Sequence, residues 1–204
     1  SSLGYSIFDD TTYSYTYSDM DGKTTIVTRA AELAFQRGVL TITSAGNEGN
    51  SSWYYITAPA DGINTIAVGA VFPDNSIAGF SSRGPSFDGR IKPDVVAQGV
   101  GVLGATASTE TQYRFASGTS LSSPIAAGAA GLLLSAYPHL TNVQARRILQ
   151  ETADNSAQPN NDRGYGLVSA KRALSFPNLQ EINNEYKLHK TFFDSDGLKN
   201  ETVV

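Results

Sequence analysis

Residues 116–124 read ASGTSLSSP and run without a break into IAAGAAGLLLSAY, residues 125–137. A small polar turn thus abuts a segment built almost wholly of Ala, Gly and Leu. Apolar all round, that segment predicts a buried core helix from about Ser120 to Tyr137. The turn admits two readings. In one, Ser123-Pro124 is a plain N-cap followed by the first helical residue. In the other, Ser120 is a nucleophile at the positive end of the helix, and Pro124 falls within the first turn or so, where a missing N–H costs little. The second reading needs oxyanion donors, and a helix N-terminus supplies some of them through its free N–H groups and dipole. It also needs access. Gly118 lets a substrate backbone come close, and the small residues from Ala126 to Gly131 let the helix sit tightly under a sheet.

The flanking sequence alternates helix and strand. TTIVTRAAELAFQRG places Ile26, Ala30, Leu33 and Ala34 on one helical face, with Gly38 where a C-terminal cap is expected. VLTITSAG follows as a β-branched strand broken by Gly46, and NTIAVGAV (64–71) is a second strand, apolar on both faces as in a covered parallel sheet. KPDVVAQG and GVLGA read as shorter strands, and TNVQARRILQETA (141–153) as an amphipathic surface helix. This order predicts an α/β domain with a mostly parallel sheet. Two segments stand outside it. Residues 5–24 are polar, rich in Tyr and Asp, and longer than an ordinary connection. Their DMDG reads as a turn rather than a metal loop, and Tyr13, Tyr15 and Tyr17 as a half-exposed hairpin or a cleft rim. From Pro177 the chain is polar and Asn-rich, which predicts a linker or tail toward something downstream (177–204).

Composition narrows the function. The 204 residues fit one domain or part of a larger one, and 40% hydrophobic content supports a real core. A net charge of −4 leaves no basic footprint for nucleic acid, and no basic amphipathic stretch suggests a membrane surface. The near-apolar run from Ile125 to Ala136 is short of the ~20 residues that span a bilayer. Zero cysteines exclude a disulfide scaffold and CxxC zinc sites.

A second motif bears on Ser120. In TITSAGNEGNS a strand ends in Ser44-Ala45-Gly46-Asn47-Glu48-Gly49. Glycines on both sides of Asn47 leave its amide free to project into a cleft, and a side-chain amide is a good oxyanion donor. By itself this is also an ordinary turn Asn after a strand.

SAGNEG and SGTSLSSP together resemble the oxyanion-Asn and nucleophile-Ser segments of the subtilisin-like serine peptidases. SSLGY resembles that family's cleft-lining segment. FSSRGPSFDGRIKPDVVAQG resembles the stretch before its nucleophile, with Gln98 where Pro is usual, and GYGLVSAKRAL resembles its closing strand and helix. The resemblance covers residues 1–176 in the family's order. It implies a subtilisin-like three-layer domain, incomplete here, whose buried central helix starts at the nucleophile. It further implies Ser120 as nucleophile, and Asn47 with the Ser120 backbone N–H as the oxyanion hole. Ser2-Leu3-Gly4 and Ser44-Ala45-Gly46 become backbone walls pairing with an extended peptide, with Gly118 and Thr119 also on the substrate side. Peptide or protein substrates and secretion to the cell exterior or envelope follow from the resemblance alone. So does calcium, for which no ligand cluster is identifiable; no other metal or cofactor is implied.

The departure lies in the base. The family's His, in an HGT-like helix start, and its Asp, in a DTG or DSG turn, lie upstream of the cleft segment, and neither motif is present. His139 falls beyond the far end of the Ser120 helix, roughly 28 Å away at 1.5 Å per residue, against the ~3 Å a base requires. His189 lies in the tail in no motif, and FFDSDG (192–197) resembles the Asp turn only superficially, because Asp196 intervenes. The expectation is the C-terminal part of a catalytic domain, inactive alone and self-associating through an unpaired sheet edge. Its partner is the N-terminal part of the same domain. Two other classes stay open: a catalytically dead peptide-binding pseudopeptidase, and an acid-acting serine-carboxyl peptidase, which uses an Asp oxyanion donor and is disfavoured by Asn47.

Overall fold

The computed structural model describes residues 1–107 and 111–176; the tail expected over 177–204, with His189, lies outside the described residues. Helix α1 (Ile26–Gln36) opens with Thr25, whose side chain accepts from Thr28 N. It closes as Gly38 requires: at φ +88° its N–H donates to Phe35 O, and Val39 N donates to Ala34 O. These are the paired bonds of a Schellman cap. Strands β1 (Ile42–Ser44), β2 (Ile66–Val71) and β3 (Val95–Gln98) form one sheet in that order, parallel throughout. All six residues of β2 are buried, as a strand covered on both faces must be. Strand β4 (Val102–Ala105) turns back antiparallel onto β5 (Tyr113–Ala116), which the sequence pattern does not announce. Helices α2 (Thr119–Ala136), α3 (Asn142–Glu151) and α4 (Ala170–Leu174) follow.

The main core joins Ile66, Val68 and Val95 of the sheet to Ala126, Ala130 and Leu133 of α2, with Ile148 and Leu149 of α3 behind them. On the other face of β2, Ala67 packs with Ala45, Ile56 and Ala60. The expected α/β class, mostly parallel sheet and central helix are therefore present. A buried charge cluster ties β3 to α3: Asp94 accepts from Lys92 Nζ at 2.6 Å, Arg146 at 3.1 Å, Gln150 Nε2 at 2.8 Å and Ala67 N at 2.8 Å. Beyond β3, Val96 makes a parallel bridge to Leu167, just before α4.

Three local expectations change. The apolar face of α1 is not its buried face: Ile26 and Leu33 are exposed, whereas Thr28 and Phe35 are buried. Thr28 turns inward because its hydroxyl donates to buried Asp61, which also accepts from Gly22 N at 2.8 Å. Helix α2 is buried on its sheet side only. Ile125 and Leu132 are exposed, and a Cβ built at Gly128 or Gly131 meets nothing within 4 Å. The small residues that pack closely are Ala126, Ala129 and Ala130. Finally, residues 5–24 form two 3-10 turns (Thr11–Tyr13 and Tyr17–Asp19) instead of a hairpin. Asp10 accepts from Thr12 N, Thr16 and Asp19 close a capping box, and Tyr17 stacks on Tyr55 at 3.9 Å. DMDG is a turn, with Asp21 Oδ1 accepting from Lys23 N and Thr24 N.

Candidate active site

Asn47 stands just past the end of β1, and Ser120 is the second residue of α2. The link between them is Thr119. Its N–H and its hydroxyl both donate to Asn47 Oδ1, each at 2.9 Å, and its hydroxyl accepts from Gly46 N at 3.3 Å. With two donors on the carboxamide oxygen, the amide group can point only one way: Nδ2 faces outward. Its position is marked by Gly118. A Cβ built there would lie 3.6 Å from Asn47 Nδ2 and 3.7 Å from Ser120 N. Two N–H donors therefore border the same small space, and a glycine leaves that space empty. This is the arrangement that binds an oxygen carrying developing negative charge.

The Ser120 hydroxyl donates to Ser2 O at 2.8 Å, and Ser2 Oγ donates back to Ser120 O at 3.1 Å. Pro124 explains the second bond. A residue at position 124 with an N–H would donate to the carbonyl four residues earlier, at Ser120; proline has none, so Ser2 takes that acceptor. Ser123 Oγ likewise reaches Ser1 O at 3.2 Å. The proline thus leaves the helix start open to the Ser1–Gly4 segment. His139 lies past the far end of α2 against Tyr137, ring centroids 6.2 Å apart. Desolvation holds its pKa below the ordinary imidazole value. Among the described residues no histidine stands beside Ser120.

The structure sorts the residues expected around the cleft. Ser2, Leu3 and Gly4 are exposed, and the N–H and C=O of Gly4 have no hydrogen-bond partner among the described residues. Ser44, Ala45 and Gly46 are buried, and the fold uses their backbone. Ser44 N donates to Ser1 O, Ala45 N to Val68 O and Gly46 N to Thr119 Oγ1, while Ala45 O accepts from Thr57 N and Gly46 O from Ser82 N. The backbone N–H groups of this second segment are thus all spent within the fold. Thr119 is also buried; it clamps Asn47 from behind the cleft. That role was hidden in the sequence because it depends on a carboxamide 72 residues away. Among the described residues, no group of three or more acidic or histidine side chains gathers to hold a metal ion.

Comparison with known proteins gives a consistent picture. The profile of the subtilase family matches residues 2–168. Serine protease AprX of Bacillus subtilis is 32% identical over a match covering 72% of this chain and 37% of that protein. Subtilisin BL of Lederbergia lenta is 39% identical, with 71% and 49% covered. The solved self-cleaved protease domain of PatA superimposes with a TM-score of 0.60 at 27% identity, covering 72% of this chain and 53% of that one. The chain spans half or less of the length of these two curated relatives.

Proposed function

The chain belongs to the subtilase family, and from that membership we propose that it forms part of a serine endopeptidase acting by acyl transfer. Ser120 attacks the scissile carbonyl. Asn47 Nδ2 and the Ser120 N–H receive the oxyanion. Its collapse breaks the C–N bond and expels the C-terminal fragment as an amine, which takes the serine's proton by way of the base. Water then hydrolyses the acyl-enzyme and restores the hydroxyl. The observation that carries this reading is the convergence of those two donors on the empty face of Gly118. The hydroxyl's proton needs a base, and the described residues supply none at Ser120. The base and its orienting acid come from the N-terminal part of the same domain.

The free edge of β1 supports that partner. Ser1 N donates to Ile42 O at 2.6 Å and Ser44 N to Ser1 O at 3.0 Å. This is one rung of a parallel ladder opposite Thr43. Beside it, Leu40, Ile42, Ala127, Gly131 and Leu134 line an open groove that a strand and a helix would cover. Substrates are peptides or proteins. Secretion follows the relatives, one of which is described as an extracellular serine protease.

A second reading rests on the Ser120–Ser2 bond: a hydroxyl already donating to a carbonyl, with no base beside it, suits a peptide-binding module without chemistry. One measurement separates the two. Under the first reading a fluorophosphonate leaves Ser120 of the 204-residue chain unlabelled but labels it rapidly in the natural polypeptide. There Asn47→Ala lowers turnover by about 10²–10³-fold. No labelling in the natural polypeptide favours the module. Rapid, stoichiometric labelling of the chain alone overturns the claim that it lacks its base.

A further inference from the structure

Ser2 and Ser120 are joined twice. The Ser120 hydroxyl donates to Ser2 O at 2.8 Å, and the Ser2 hydroxyl donates to Ser120 O at 3.1 Å. The first bond sets the resting direction of the hydroxyl's proton; the second acts on the backbone. Inside a helix the Ser120 carbonyl would be held by the N–H four residues on, but position 124 is proline and has no N–H to give. The two peptide planes that flank Ser120 decide where its N–H and its Cβ point. The preceding plane is held from within the helix, by Ser122 Oγ donating to Thr119 O at 2.9 Å. On the following plane Leu121 N reaches Gly118 O at 3.0 Å, but the carbonyl takes a hydroxyl from outside the helix. The segment that carries this hydroxyl is itself fixed. Ser1 N donates to Ile42 O at 2.6 Å, Ser44 N to Ser1 O at 3.0 Å and Ser123 Oγ to Ser1 O at 3.2 Å.

We propose that Ser2 is a positioning residue for the nucleophile: its hydroxyl supplies, from the cleft segment, the donor that Pro124 withholds from the helix. The inference rests on the proposed roles of Ser120 and Asn47. Under those roles Ser120 carries both the attacking Oγ and one oxyanion N–H. A small rotation of that residue shifts both groups against Asn47 Nδ2, and a misplacement of about 1 Å is enough to cost about 10²-fold in rate. Proline at 124 thus makes the placement of Ser120 depend on the cleft segment and not on its own helix. Two residues beyond Ser2 that segment presents the N–H and C=O of Gly4, which have no partner among the described residues. A peptide that orders the segment therefore also steadies Ser120. Its contacts there are expressed as placement of the nucleophile, that is in turnover, more than as tighter binding.

The test is a double-mutant cycle on the natural polypeptide, read as kcat and KM on a fluorogenic peptide that the parent cleaves. Ser2→Ala is expected to lower kcat by about tenfold while KM moves by less than about twofold. Ser2→Thr keeps the hydroxyl and recovers most of that loss. Pro124→Ala returns a helical N–H to Ser120 O, so in that background Ser2→Ala lowers kcat by less than about twofold. Initial rates of fluorophosphonate labelling at Ser120, which need no turnover, follow the same pattern in the same proteins. A raised KM with kcat unchanged in Ser2→Ala would make Ser2 a plain substrate contact and overturns the inference. Equal losses in the two backgrounds overturn it too, as does a Ser2→Thr no better than Ser2→Ala. A parent that neither turns over nor labels overturns acyl transfer at Ser120 and this inference with it. An active parent that fails the cycle overturns the role of Ser2 alone, so the two failures are distinct.

Discussion

Along one flank of α2, Ala126, Ala130 and Leu133 lie against Ile66, Val68 and Val95 and exclude water. Along the other, Ile125 and Leu132 are 42% and 57% exposed, and Gly128 and Gly131 face open space. Residue type does not separate the flanks; the presence of a packing partner does. The same contrast runs through the sheet. The outer edge of β3 is occupied by Leu167, whereas among the described residues the outer edge of β1 carries a single rung at Ser1. One half of the molecule is complete in itself. The other presents apolar surface and free backbone, the features by which interaction surfaces are recognised. The helix is also long and apolar enough to cross a membrane, but its sheet side is spent on the core.

The sharpest way to break this comparison is to damage what anchors the complete half. Asp94 is buried with four donors around it, so Asp94→Asn leaves Lys92 buried without a counter-charge, its remaining bond running to Thr65 O. Removing one partner of a buried pair costs about 3–5 kcal/mol. Urea denaturation of the chain checks this, and a loss below about 1 kcal/mol would mean that the cluster does not anchor β3 to α3.

Next in size is a pair of neighbours. Leu133 is fully buried and Leu132 is 57% exposed. Leu133→Ala is expected to cost about 2–5 kcal/mol and Leu132→Ala no more than about 0.5 kcal/mol. Equal losses, measured by the same denaturation, would show that something covers the outer flank in solution. Self-association is the direct candidate, and sedimentation of the two variants would reveal it.

How much of this was readable in advance follows the range of the interactions involved. The cap at Gly38, the start of α2 and the three parallel strands rest on contacts within a few residues or on burial of whole segments, and each leaves a local pattern. The meeting of Asn47 and Ser120 left a trace because Asn47 lies between Gly46 and Gly49 and Ser120 stands two residues after Gly118 at the start of an apolar helix. The contacts of Thr28, Thr57 and Thr119 left none, although the resemblance set Thr119 on the substrate side. Each is an unremarkable threonine until Asp61, Gly4 with Gly46, or Asn47 is brought beside it, and those partners lie between 11 and 72 residues away. Strand β5 was missed for the opposite reason. Tyr113, Arg114 and Phe115 are all exposed, so no buried face imposes the alternation by which a strand is recognised.

The smallest expected effect concerns pH and distinguishes two buried aspartates. Burial disfavours ionisation of both. At Asp94 the charges of Lys92 and Arg146, with their hydrogen bonds, more than offset it, and the carboxyl stays below the ordinary value of 3.8. At Asp61 burial prevails over the bonds from Thr28 and Gly22, and the carboxyl lies above 3.8. The signs are opposite. The contribution of Asp94 is present above the unfolded-state pKa and fades as pH falls through its lower folded value. That of Asp61 is present below the unfolded-state pKa and fades as pH rises through its higher folded value. The two slopes fall on opposite sides of the unfolded-state value, that of Asp94 below it and that of Asp61 above it, so stability gained on the lower limb is partly given back on the upper one. Asp61→Asn removes only the second slope, so stability should rise more steeply with pH just above 3.8 in the variant than in the parent. Urea midpoints taken across that range decide the matter: parallel curves would mean that Asp61 ionises as freely in the folded chain as in the unfolded one, and that α1 is held by its helix cap and packing rather than by a reluctant buried carboxyl.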